Sequence, residues 1–188
     1  MSDLMLDVDQ AGELKAAFRR GGWSNAEIKR ACEGDLLKHF RDVVRGLSAI
    51  TPIPCIIDCD ASPFVSAGWH VEEHTRGGIF TWDPAHVKLH LSTKQSGNEC
   101  IVGDDLLREL AKKPTLNANV LDYLLAHPEL IPEEWKNKRV TFWGTIYCNS
   151  HGSLGVRYLY WHGSAWNWDF SWVGYGFNSL SPALVRAS

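Results

Sequence analysis

Residues 70–74, His70-Val71-Glu72-Glu73-His74, spell the H-x-x-E-H pattern of inverted zinc proteases. That chemistry needs two imidazoles one turn apart on one helix face, with a third ligand closing the site around the metal. Gly68 stands two residues before the string and Gly77-Gly78 three residues after it, leaving no room for a stable helix. Cys55 and Cys59 could join His70 or His74 in a zinc cluster, which would make the chain a metal-dependent, zinc-type hydrolase. Ile56-Ile57 favours the other reading, in which Cys55 packs in a core strand as free cysteines commonly do. Asp58 and Asp60 flank Cys59; a carboxylate pair could hold a cation, but satisfying turn amides is the commoner use. No P-loop, G-x-G-x-x-G or G-x-S-x-G is present, and no spacing nominates the partners of a catalytic triad. The expectation is therefore no catalytic residue, no metal and no cofactor.

The C-terminal quarter carries a different signal. Five of the nine tryptophans (Trp143, Trp161, Trp166, Trp168 and Trp172) fall between positions 143 and 172. The 46 residues from Trp143 onward contain no Lys, Glu, Gln or Met, against 23 such residues in the first 142. About 7 would be expected there at the same frequency. If 154–161 and 166–172 are strands, alternation puts Trp166, Trp168, Phe170 and Trp172 on one face and Asn167, Asp169 and Ser171 on the other. The aromatic row would face a core, each ring contributing roughly 2–3 kcal/mol on full burial. Opposite it stand short polar groups, continued by Gly174-Tyr175-Gly176-Phe177-Asn178-Ser179. Tyr, Ser, Gly and Asn dominate antibody-like binding surfaces, where Tyr gives contact area at low entropy cost and the others give adaptable hydrogen bonds. Exposed indoles would also suit sugar stacking, but the alternation buries most of them. The competing reading is a Trp-rich sheet with an ordinary polar outer face.

These positions need a scaffold, and the rest of the chain supplies one. The chain has 188 residues, is 45% hydrophobic and carries a net charge of −3, an ordinary globular balance without the basic surface of a general nucleic-acid binder. No apolar run approaches membrane-spanning length, the beginning MSDLMLDVDQ is acidic, and five irregularly spaced cysteines suit reduced thiols. A cytoplasmic protein is expected, with no membrane partner. Residues 1–50 read as a helical N-terminal element: a helix at Ala11–Arg20, a second opened by a Ser24–Glu27 capping box, and a third in DLLKHFRDVVRGL. Three short helices invite a helix-turn-helix and hence a nucleic-acid or phage-related adaptor. However, eight Lys+Arg against eight Asp+Glu in this segment lack the basic footprint of a DNA reader. Residues 51–188 read as an α+β domain with a strand near Ile53–Ile57, an alternating strand around Val87–Leu91 and helices opened at Gly103 and Asn117. A terminal antiparallel sheet follows over 140–147, 154–161 and 166–172.

The strings ELKAAFRRGGWSNAEIKRACEGDLL, IIDCDASPF, VEEHTRGGIFTWDPAHVKLHLS, LNANVLDYLLAHPELIPEEWK, TFWGTIY, VRYLYW and SPALVRAS cover nearly the whole chain. Through them the chain resembles a group of candidate-phyla bacterial proteins that look like the variable proteins of diversity-generating retroelements. In such systems an error-prone reverse transcriptase rewrites a C-terminal segment at template adenines. An AAY codon can then encode Asn, Asp, His, Tyr, Ser, Gly and several others, but not Lys, Glu, Gln, Met or Trp. The resemblance implies a non-enzymatic ligand-binding protein with a hypervariable region at about 148–179, displayed on a C-type-lectin-like frame. It implies variable ligand-binding positions at His162, Ser164, Ala165, Asn167, Asp169, Phe170 and Ser171. Tyr158, Tyr160, Gly174, Tyr175, Gly176, Phe177, Asn178 and Ser179 extend that set, and Trp161, Gly163, Trp166, Trp168 and Trp172 form the fixed frame. Alternation sets Phe170 on the Trp side, so either a bulge re-aims it or it belongs to the core. The partner implied is a protein or surface ligand met through the C-terminal face.

Overall fold

Local signals start the helices at the N-terminus. Asp7 accepts the Gln10 amide at 2.7 Å while the Gln10 side chain takes the Asp7 amide, opening α1 (Val8–Arg20). Ser24 and Glu27 form the same reciprocal cap on α2 (Asn25–Ala31), and α3 spans Leu36–Val44. The computed structural model describes residues 7–51, 53–97 and 99–187, and the chain divides into two units between Ile53 and Pro54. Within the first unit Ala31 is buried, whereas Leu36, Leu37, Phe40, Val44 and Leu47, which recur at helical spacing, are exposed.

The second unit is α+β. Its strands are β1 (Ile56–Asp58), β2 (Trp69–His74), β3 (Ile79–Thr81), β4 (Val87–His90), β5 (Ile101–Val102), β6 (Arg139–Asn149), β7 (Leu154–His162), β8 (Ala165–Trp172), β9 (Gly176–Phe177) and β10 (Ala183–Arg186). Its helices are α4 (Gly103–Leu110) and α5 (Ala118–Ala126), the latter capped by Asn117 as the sequence suggests. Six strands make the main sheet, in the order β4-β10-β6-β7-β8 with β2 also on β6; β1 pairs β3 and β5 pairs β9 separately. The expectation of an antiparallel sheet holds except at one place: β10 returns parallel to β6 at Ala183–Thr141 while running antiparallel to β4.

Two apolar clusters sandwich the sheet. Val140, Leu159 and Leu184 pack with Val120, Leu121 and Leu124 of α5, whereas Ile146, Val156 and Ala183 pack with Leu106 and Leu110 of α4. Adjacent residues Ala183 and Leu184 join different clusters, so the clusters lie on opposite faces. β6 is buried along nearly its whole length, as a central strand covered on both sides must be. Its ladder with β7 breaks between Thr141 and Ile146. Gly144 lies in that gap, where an added Cβ would come within 2.8 Å of the backbone at Leu116 and Asn117. Only glycine lets the α5 entry approach so closely. Among the described residues no helix is long and apolar enough to cross a membrane.

Candidate functional site

The β7–β8 hairpin turns at Gly163-Ser164, with Gly163 at φ +62° and Ser164 at negative φ. Glycine at the first central position matches the two-residue turn whose twist suits a hairpin. Its eight cross-strand pairs alternate strictly. Gly155–Trp172, Arg157–Phe170, Leu159–Trp168 and Trp161–Trp166 lie on one face, and Val156–Ser171, Tyr158–Asp169, Tyr160–Asn167 and His162–Ala165 on the other.

The first face packs against the α5-side core. Trp166 and Trp168 abut that cluster and are half-buried, not fully buried as full core positions would be. At its centre Arg157 is 1% exposed. Its guanidinium donates to both Asp122 carboxylate oxygens at 2.7 and 3.1 Å and stacks 4.0 Å from the Trp168 ring centroid. A forked guanidinium suits this use because it meets a carboxylate bidentately in its own plane while presenting its face to an indole. Phe170 lies 3.8 Å from Trp69 in a parallel stack, with Trp172 on the same indole at 5.3 Å. No bulge re-aims Phe170: it is part of the aromatic frame, which removes it from the ligand-binding set expected from the sequence.

The second face is covered at one end, where Val156 is buried in the α4-side core, and opens from Tyr158 to the turn. Asp169, Ala165 and His162 are exposed, and Tyr158, Tyr160, Asn167 and Ser171 are half-buried. The rings of Tyr158 and Tyr160 lie 5.4 Å apart, and His162 follows at 6.5 Å from Tyr160. Burial, and then the facing Asp169 carboxylate, raise the Tyr158 phenol above its ordinary range, with Arg139 opposing. Arg139 also reaches over the Tyr158 ring at 5.8 Å. Local bonds hold the polar groups: Asn167 donates to the Ala165 carbonyl, and Asp169 accepts from the amide of Phe170.

The remaining nominated residues separate. Phe177 is 1% exposed and sits 5.0 Å from the Trp143 ring in the α4-side core, so the expectation that it meets a ligand is corrected: its ring is spent on packing. Gly176 is exposed and pairs with Val102, and a Cβ there would lie 2.8 Å from the exposed Cys100 Sγ, which would have to turn aside. Gly174, Tyr175 and Asn178 are exposed and Ser179 half-buried; Ser164 is exposed in the hairpin turn. Tyr175 and Gly174 line a recess of about 590 Å³ with Asp104, His151 and Ser153 at the Gly155–Trp172 end of the hairpin. Tyr160 and His162 line another of about 440 Å³ with Lys136, Lys138 and Arg139 at the turn end. Seven residue steps along the ladder put these ends roughly 24 Å apart, so the nominated set is an elongated patch with a recess at each end. Arg139 and the two lysines were missed by the sequence reading; their signal was the run Lys136-Asn137-Lys138-Arg139 immediately before β6.

The residues of the zinc reading do not converge. His70 and His74 lie on a strand, not a helix, and the β2–β6 register slips between Val71 and Glu73. Val71 then faces with Tyr147 and Glu73 with Ile146, so the bulge sends His70 and His74 to opposite faces. His74 Nε2 is 3.1 Å from the Cys59 carbonyl, which can only accept, and Nδ1 is 2.9 Å from the Thr145 hydroxyl. Both ring nitrogens are thus used inside the fold. Cys59 is buried, its thiol pushed up by burial, and Asp58 and Asp60 accept turn amides from Asp60 and Gly78. The chain matches no protein-family model, no curated protein and no solved structure.

Proposed function

We propose that this is a non-enzymatic recognition protein whose β7–β8 hairpin presents a diversifiable face to a protein or surface ligand, the diversity coming from retroelement-driven adenine mutagenesis of the C-terminal segment. The observation that carries the reading is the split of one hairpin: indoles, Phe170 and Arg157 lie on the packed side, and Tyr158, Tyr160, His162, Ala165, Asn167, Asp169 and Ser171 on the other, which Val156 ties to the core. Substitutions at these seven positions should leave the packed side intact, which is what a variable surface requires. The absence of Lys, Glu, Gln and Met from Trp143 onward supports the same reading, since those residues lie outside the reach of adenine mutagenesis at AAY codons. The C-type-lectin-like frame and a cytoplasmic setting belong to this proposal. Nucleic acid is not the partner we propose, because the chain carries a net charge of −3.

Two measurements test it. A library randomising positions 158, 160, 162, 165, 167, 169 and 171, sorted only for protease resistance, should retain most members, and a matching library at 157, 166, 168, 170 and 172 should lose most. Equal losses would overturn the reading. In the genome, a reverse transcriptase gene and a near-copy of this gene's 3′ end, differing only opposite adenines, should lie nearby.

A further inference from the structure

Splitting His70 from His74 leaves His70 on a different set of neighbours. We propose that His70, Glu72 and Cys148 form a binding site for one zinc-class divalent cation at the edge of the main sheet, a site that uses none of the side chains assigned to recognition. His70 pairs directly with Cys148 across the β2–β6 ladder, and Glu72 lies at the bulge. One ligand atom from each of the three residues lies within 4.8 Å of the other two, with His70 Nε2 already 3.5 Å from the Glu72 carboxylate.

Ligand atoms 2.0–2.3 Å from a tetrahedral ion stand roughly 3.3–3.8 Å apart, so side-chain rotations of about 1 Å close the set. Two of the three side chains are free to make them: His70 and Glu72 are 62% and 51% exposed. Cys148 is nearly buried beneath them, its thiol 3.5 Å from the Asn149 carbonyl. Sulfur, nitrogen and oxygen donors together select zinc or cobalt over calcium or magnesium, which take oxygen. Binding deprotonates the thiol and releases that proton to solvent. Three protein ligands leave a fourth position for water. The bulge has a role here as well: it turns His74 inward to hold α5 through Thr145 while Glu72 stays outside beside His70.

The test uses the full chain, reduced and freed of metal, with Co²⁺ as probe and Zn²⁺ as competitor. One equivalent of Co²⁺ should bind with a thiolate-to-cobalt charge-transfer band that Zn²⁺ abolishes, and it should raise the thermal midpoint. Cys148→Ser should remove the band. His70→Ala and Glu72→Gln, both at exposed positions, should each weaken binding by at least about tenfold, the loss expected even for residues that only support a ligand. If Cys148→Ser does not fold, those two variants decide alone. A band that survives in His70→Ala and Cys148→Ser but disappears in Cys55→Ser or Cys59→Ser, or no band at excess Co²⁺, would overturn the site.

Discussion

The two faces of the β7–β8 hairpin share one backbone ladder and one turn, yet they do opposite work. On the packed side each group is committed: Arg157 to Asp122 and Trp168, Phe170 to Trp69, Trp161 edge-on to Trp166. On the open side, among the described residues, the polar side chains bond within their own hairpin, as Asn167 does to Ala165 and Asp169 to the Phe170 amide. Alternation sorts the side chains into two faces, and the packing of α5 and α4 then decides which of them folding needs: Val156 shares the face of Tyr158 and Tyr160 but belongs to the α4-side core. A two-residue period lets a protein vary one face without disturbing the other.

The sharpest way to break this comparison is to remove the centre of the packed face. Arg157→Ala takes away a bidentate ion pair and the cation over Trp168, and denaturant unfolding should show a loss of about 3 kcal/mol, below the extreme for buried pairs because Asp122 keeps contact with water. Trp168→Ala should cost about 2–3 kcal/mol in the same assay, less than a fully buried tryptophan because this indole is half-buried. Asn167→Ser, Ser171→Asn and Asp169→Asn should each stay within about 0.5 kcal/mol of the parent. A loss near that of Trp168→Ala at any of the three would erase the distinction between the faces.

The smallest effect is electrostatic. Burial and Asp169 hold the Tyr158 phenol above its ordinary range, so the folded chain keeps a proton that the unfolded chain releases. The stability linked to Tyr158 is therefore fully present below the unfolded phenol range and lost as pH rises through the folded value. Ultraviolet titration, with Tyr158→Phe as the reference, should show late ionisation that moves down in Asp169→Asn. No movement in that variant would mean that the facing carboxylate does not reach the ring.

Much of this was legible locally. Capping residues Ser24 and Asn117 marked true helix starts, and the alternation of Trp166 through Trp172 assigned both faces of β8 and put Phe170 with the indoles. The short strands were not legible. β5 and β9 have two residues each and β3 has three, too few for any periodicity to register. β10 was missed because its tail, Ala183–Arg186, is buried on both faces at the middle of a sheet and shows no alternation. Phe177 was misassigned because its neighbours Gly176 and Asn178 read as a loop, whereas pairing with Ile101 turns its ring into the core.

By itself the sequence determined what nearest neighbours along the chain can fix: caps, turn glycines, and which residues of a strand share a face, all of which follow from backbone geometry over a few residues. Tertiary structure decided which face is covered and what meets across strands. The Val71–Glu73 bulge exists only against β6, and it alone sets His74 inside and His70 beside Cys148. Arg157 likewise became a buried ion only because α5 brings Asp122 to it from 35 residues away, an encounter that no local pattern encodes.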